Sequence, residues 1–258
     1  VSIIIGLCVQ FYARIDIMEF FGFESESKLG KKTEEEEQEL KTKFDQIFTN
    51  TIENEQGQDS KKKEADKLLV YTRLEGKSSK LNSYDVEVHI PYINIDNSIV
   101  ETYNKEIDDF VNKTNHILET QNKNIVYTVD YVANVQNGIL SLMIRSNLKE
   151  GTSAQRVIIQ TYNYDLRNNK EISLEEVLKI ENINEAEMQE KIKNNIDVEQ
   201  KKVEDLKNLG YDIYDRNPKS DIYKIENSKQ FYLINDTLYI IYAYGNESFT
   251  SEMDLVII

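Results

Sequence analysis

Asn137-Gly138 sits between two stretches that read as strands, Ile125 to Val135 and Ile139 to Leu148. Both residues of the pair tolerate positive φ, so this two-residue loop folds the chain back on itself as a hairpin. Gly151 marks the next turn, and Arg156 to Leu166, rich in Val, Ile, Thr and Tyr, follows as a third strand. A second tight pair, Asn235-Asp236, joins Gln230–Ile234 to Thr237–Tyr244, and Met253 to Ile258 reads as a final strand. Much of the chain is thereby committed to antiparallel sheet.

Helices separate these strands. Upstream, Val86, Val88 and Ile90 alternate with Asp85, Glu87 and His89, a half-buried strand that Pro91 is expected to stop. Asp96 or Ser98 can cap the helix that follows, and Ser98 with Glu101 fits a capping box. Ile99, Tyr103, Ile107, Phe110, Val111, Thr114, Ile117 and Leu118 then hold one apolar stripe for about six turns. Ser173 with Glu176 opens a short helix. Asn184 with Glu187 opens a longer one carrying Met188, Ile192, Ile196, Val203 and Leu206, closed by Gly210. Hairpin-linked strands with segregated helices predict an α+β fold: an antiparallel sheet of about five to six strands with two long helices packed on one face.

The first third reads differently. Val1 to Ala13 is nearly all apolar, but thirteen helical residues rise only about 20 Å against a hydrocarbon core of ~30 Å. Residues 1–15 are expected to be a truncated membrane anchor that further apolar residues would complete. Residues 16–80 read as a helical stalk and polar linker. Ile17, Phe20, Phe21 and Phe23 form an amphipathic patch, and Leu40, Phe44, Ile47 or Phe48, and Ile52 predict a helix of about five turns. Glu53 to Lys67 reads as a flexible connector. The compact domain is expected over 81–258, with an N-terminal part, 81–135, and a C-terminal part, 136–258.

Charge narrows the partners. The chain carries 31 basic and 46 acidic side chains, net −15, and residues 84–258 alone carry 18 and 30, net −12. That balance speaks against nucleic acid, whose phosphates need clustered Lys and Arg, and favours a basic partner. One cysteine excludes an intramolecular disulfide and a Cys-rich zinc site. His89 and His116 have no triad or metal-ligand spacing, and no phosphate loop is present. Asp212, Asp215 and Asp221 share one loop but lack the glycine and closing Glu of a calcium loop. No catalytic residue, metal or cofactor is assigned.

Two stretches resemble a bacterial family. Tyr84 to Asn112, with Pro91 ending a strand and Asn104 midway along a helix, resembles the N-terminal half of the extracytoplasmic domain shared by the peptidoglycan deacetylase PdaC and RsiV-type anti-sigma factors. Ile139–Leu142, Tyr162–Leu178 and Phe231–Ile257 resemble its C-terminal half, in the right order. Where the family usually has a Gly-Gly-Ala-His-like loop this chain has Glu150–Gln155, and Ala243-Tyr244-Gly245 replaces its Pro-Tyr-Glu. The resemblance implies a membrane-anchored binding or sensing domain, facing outside the cytoplasm of a Gram-positive-type bacterium. It also implies a protein ligand such as a lysozyme. Tyr242, Tyr244, Glu247 and Glu252, near the end of the last hairpin, are the candidate ligand contacts. The alternatives are a cell-envelope module that binds peptidoglycan glycan and a hydrolase with an unrecognised carboxylate site.

Overall fold

The computed structural model describes residues 29–48, 68–120 and 124–258. The expected anchor, 1–15, and connector, 53–67, lie outside them. No helix among the described residues is long and apolar enough to cross a membrane. In chain order the elements are α1 (Glu34–Thr42), β1 (Val70–Lys80), β2 (Tyr84–Ile93), α2 (Ser98–Thr120), β3 (Ile125–Gln136), β4 (Ile139–Glu150), β5 (Arg156–Asp165) and β6 (Lys170–Glu171). Then come α3 (Leu174–Ile180), α4 (Glu185–Asn208), β7 (Phe231–Ile234), β8 (Thr237–Ala243) and β9 (Met253–Ile257).

The fold is α+β. Strands β1 to β6 form one six-stranded sheet in sequence order, and β7-β8-β9 form a second, smaller one. All pairs are antiparallel except β2 with β3. That exception follows from α2, which carries the chain back along the sheet so that β3 starts beside the start of β2. Turn chemistry is as the sequence implies. Asn137 and Gly138 have φ of 52° and 75°, and Asn235 and Asp236 have 49° and 53°, the left-handed pairs of tight hairpins. Every non-glycine residue with positive φ among the described residues is Asn or Asp, the side chains that tolerate it best.

The layers follow from strand parity. On one face of the large sheet Val88, Val129, Leu142 and Tyr164 pack against Ile107 and Ile117 of α2. On the other face Val132, Met143 and Ile159 meet Tyr232, Tyr239, Ile241 and Ile257 of the small sheet. The small sheet's far side, with Leu233, Ile240 and Val256, packs on Val177 of α3 and Ile192 and Ile196 of α4. The order is therefore helix, sheet, sheet, helices. The two long helices cover different sheets, because a second sheet lies between them.

Several local expectations are corrected. Pro91 does not stop β2. The strand continues to Ile93, and β1 shifts register between Thr72 and Leu74 opposite the proline, a bulge that relieves the missing N–H. The α2 cap is Asn97, whose Oδ1 accepts from Ile99 N at 2.8 Å, rather than Asp96 or Ser98. Residues 70–80, placed in the linker, are a full strand of the large sheet. The expected five-turn helix is interrupted: α1 covers Glu34–Thr42, a turn follows at 43–45, residues 46–48 are helical again and Ile52 lies outside the described residues, while Phe44 and Phe48 are buried between the sheets. Lys32 also ties this segment down, donating to Asp236 O and, at 3.1 Å, to Ile258 O. Residues 29–48 are thus part of the compact body rather than a stalk beside it.

Side-chain amides close what strands leave open. Asn104 of α2 accepts from Ile93 N at 2.9 Å and donates to Ile93 O at 2.8 Å, finishing β2. Along the outer edge of β5, Val157 N donates to Thr250 O, Ile159 N to Asn246 Oδ1 and Thr161 N to Gln230 Oε1. Three outward amides are satisfied in a row without a neighbouring strand, which removes a template for edge-to-edge pairing.

Candidate functional site

The candidate contacts lie where β8 leaves the small sheet and β9 returns. Strand β8 is buried on both faces, so its tyrosines point inward. Tyr242 packs edge-on against Tyr223 at 4.9 Å and bonds Ser228 through its hydroxyl at 2.9 Å. Tyr244 stacks on Tyr214 at 4.3 Å and donates to Asp254 Oδ2 at 2.5 Å. That bond uses Tyr244's single proton, so Tyr223 donates the 2.8 Å hydroxyl bond between the two tyrosines. Both residues are less than a tenth exposed, so they build the site's inner wall rather than its surface.

Arg216 holds this wall together. Its Nε and Nη2 bind Asp254 Oδ2 and Oδ1 at 2.9 and 3.0 Å, and its Nη1 reaches Glu252 Oε2 and Tyr214 O, each at 2.7 Å. Its guanidinium also lies 5.0 Å from the Tyr244 ring centroid. Burial alone would lower the guanidinium pKa, but the hydrogen bond and charge of Asp254 outweigh it and hold the cation firmly charged. Burial, then the Asp254 charge, drives the Tyr244 phenol well above its ordinary range. Tyr223 is pushed up to about 12, mainly by burial, with the Tyr244 bond opposing. Glu252 additionally accepts from Tyr214 N at 2.7 Å and Thr250 Oγ1 at 3.3 Å. Every partner in this cluster is satisfied from within, which suits a rigid scaffold.

Of the four candidate contacts, Glu247 alone is exposed. Sequence reasoning did not find Arg216, although Asp254 offered a signal: a carboxylate flanked by Met253 and Leu255 in an apolar strand needs a cation. The partner lies 38 positions away, beyond any local pattern.

In front of this wall runs a groove of about 670 Å³, bounded by the last turns of α4, the 212–216 loop and the 248–252 loop. Its lining includes Leu206, Tyr214 and Phe249. Phe249 is 59% exposed with Arg156 5.3 Å from its ring, and Leu209 and Tyr211 just beyond are 75% and 61% exposed. The α4 terminus presents them. Gly210 at φ 90° lets its own N–H reach Lys207 O and Tyr211 N reach Leu206 O, a Schellman turn that throws Leu209 and Tyr211 outward. Gly245 sets the other wall. A Cβ there would strike Val157 O and stand 2.6 Å from Thr250 O, so this backbone approach admits only glycine. Asp215 of the Asp212–Asp221 loop pairs with Lys207 at 2.5 Å, and no cluster of His, Cys, Asp or Glu able to hold a metal occurs among the described residues.

No family model matches the chain, and no curated protein matches it. Solved structures do. A DUF3298 family protein of Bacteroides fragilis is similar at 12% identity and a TM-score of 0.40, over 73% of this chain and 89% of that one. A DUF3298 family protein of Pseudomonas aeruginosa is similar at 14% identity and a TM-score of 0.28, over 42% of this chain and 54% of that one. The match therefore spans about half the length of the Pseudomonas protein. Each is a likeness of fold, and no residue role is carried over from it.

Proposed function

We propose that this chain is an extracytoplasmic binding or sensing module of the kind shared by PdaC and RsiV-type anti-sigma factors. In this reading it is held to the membrane through its N-terminal segment and recognises a basic protein such as a lysozyme. The observation that carries the reading is the groove beside β8 and β9. Large apolar side chains stand exposed there, on a scaffold whose own polar groups are already satisfied, within a stretch of net charge −12. Apolar anchors inside a charged surround are what a protein interface needs for affinity and for steering. The carboxylates of Glu252 and Asp254 behind the groove are committed to Arg216, which favours binding over catalysis.

Calorimetric titration of the full chain with hen-type lysozyme, at low and at moderate salt, tests the reading. One-to-one binding of about micromolar strength that weakens with salt, and that Phe249→Ser reduces at least tenfold, is the expected result. No heat of binding at either salt overturns the lysozyme assignment. The exposed Tyr211 and Phe249 rings also suit stacking against a sugar face. Salt-insensitive binding of peptidoglycan fragments at the same groove would favour that second reading.

A further inference from the structure

A second cleft, of about 540 Å³, is bounded by the first turns of α2, the middle of β5, the start of α3 and the 225–231 segment. Four glutamates line it, at positions 106, 171, 175 and 226, with Lys229 as the one cation among the lining residues. None of the four is ion-paired among the described residues, whereas Glu176 close by takes Lys170.

Under these carboxylates lies Tyr162, 5% exposed, whose hydroxyl has no hydrogen-bond partner. Its ring is 5.0 Å from that of Tyr103, which donates to Asn163 O at 3.2 Å. Burial first, then the nearby glutamates, push both phenols upward: Glu106 weighs most on Tyr162, and Glu171 and Glu106 weigh on Tyr103. Glu106 thus bears on the buried Tyr162 hydroxyl, which no hydrogen bond of good geometry satisfies, and Glu171 bears on the neighbouring Tyr103, so two carboxylates outside any ion pair flank the two rings. A buried polar group without a partner is costly and uncommon, and a cation that donates hydrogen bonds would satisfy it and neutralise the carboxylates together.

The four carboxylates do not gather tightly enough to hold a metal ion. The cleft also has an apolar wall, with Ile99, Ile172 and Leu174 beside the acidic end. We propose that this cleft binds alkylammonium groups: a primary amine at the end of an aliphatic chain, as in a linear diamine or polyamine, or in a lysine side chain. The ammonium donates to Glu106, Glu171 and the Tyr162 oxygen, and the methylenes lie along the three aliphatic side chains. This site is separate from the groove beside β8 and β9, and it stands whether or not lysozyme binds there.

The test is calorimetric titration of the full chain with 1,5-diaminopentane at low salt, with magnesium chloride at matched ionic strength as the counterion control. Saturable one-site binding of the diamine that magnesium does not reproduce is expected. Glu106→Gln/Glu171→Gln should weaken it at least tenfold with the circular dichroism spectrum unchanged. Tyr162→Phe should weaken it severalfold, and Phe249→Ser should leave it unaltered. Tighter binding of the free diamine than of a lysine-containing peptide assigns a small-molecule source, and the reverse assigns a protein one; either supports the site. Absence of saturable binding, equal binding of magnesium, or an undiminished response in the double variant overturns the proposal.

Discussion

Asn246 grips Ile159 at both ends of its peptide unit, accepting from the amide N at 3.0 Å and donating to the carbonyl O. One side chain thus does for this residue what a neighbouring strand does elsewhere. Asn246→Ala strands a partly buried donor and acceptor, and a loss of about 1–3 kcal/mol is expected. It should appear as a lower urea midpoint with unchanged slope. A change below the error of the measurement would show that water replaces the amide without cost.

Gly245 next to it is constrained by space rather than by φ. Gly245→Ala places a Cβ against Val157 O and Thr250 O, both backbone atoms that cannot swing away. Overpacking of this kind costs about 1–3 kcal/mol or more. Thermal unfolding should show a clear drop in midpoint.

Arg216 and Asp254 are a buried, doubly hydrogen-bonded pair with Glu252 attached. Arg216→Met leaves Asp254 buried without a cation, at an expected cost of about 3–5 kcal/mol. Adding Asp254→Asn removes that isolated charge and should recover part of the loss. If the double variant is no more stable than the single one, the desolvated carboxylate is not what the single variant suffers from.

The compact body begins well before residue 81. Phe44 and Phe48 are almost wholly buried, and β1 pairs along the length of β2. A fragment starting at Leu81 discards all three, and each buried Phe alone is worth about 3–5 kcal/mol against a total stability of about 5–15 kcal/mol. Cooperative unfolding is expected for a fragment starting at Leu29 and not for one starting at Leu81. Equal melting of the two would refute the assignment of residues 29–48 to the body.

Alkaline pH should unfold the protein through its tyrosines. Burial holds Tyr223 and Tyr239 up at about 12 in the folded chain, against 10.0 for a free phenol. Above pH 10 the unfolded chain releases protons that the folded chain keeps, so stability is complete below pH 10 and falls as pH rises toward 12. Sixteen tyrosines and no tryptophan make ultraviolet absorbance a clean reporter of tyrosinate. Exposed phenols should titrate smoothly and the buried set in one steep step that coincides with loss of secondary structure. A single smooth curve for all of them would contradict the burial.

The hairpins, α2 and both helix openings around Ser173 and Asn184 were legible because each rests on neighbours in sequence: a left-handed pair, a stripe of period 3.6, a cap. Strand β1 was not. As an edge strand with both faces partly exposed, it shows no alternation and reads as a polar linker. The division into two sheets was hidden for the same kind of reason, since β5 ends in turns and helices that give no hint of which face the last three strands will cover. Tyr242 and Tyr244 were readable in retrospect: Leu238 to Tyr244 runs without a polar residue, the pattern of a strand covered on both sides. The groove's Phe249, and Leu209 and Tyr211 just beyond it, belong to turns and loops, where exposure is decided by turn geometry rather than period.

Lys32 and Ile258 touch, and Ile258 is zipped to Leu238 by a reciprocal pair of backbone bonds at 3.0 and 3.1 Å. The geometry sets a mechanical grain. A pull on residue 258 directed across the sheet would open β9 from β8 one rung at a time, whereas a pull along the strands would load all rungs at once. The molecule is therefore soft to tension applied across that corner and stiff to tension along its sheets, and single-molecule stretching with handles at the two kinds of position should read the difference as a low and a high rupture force.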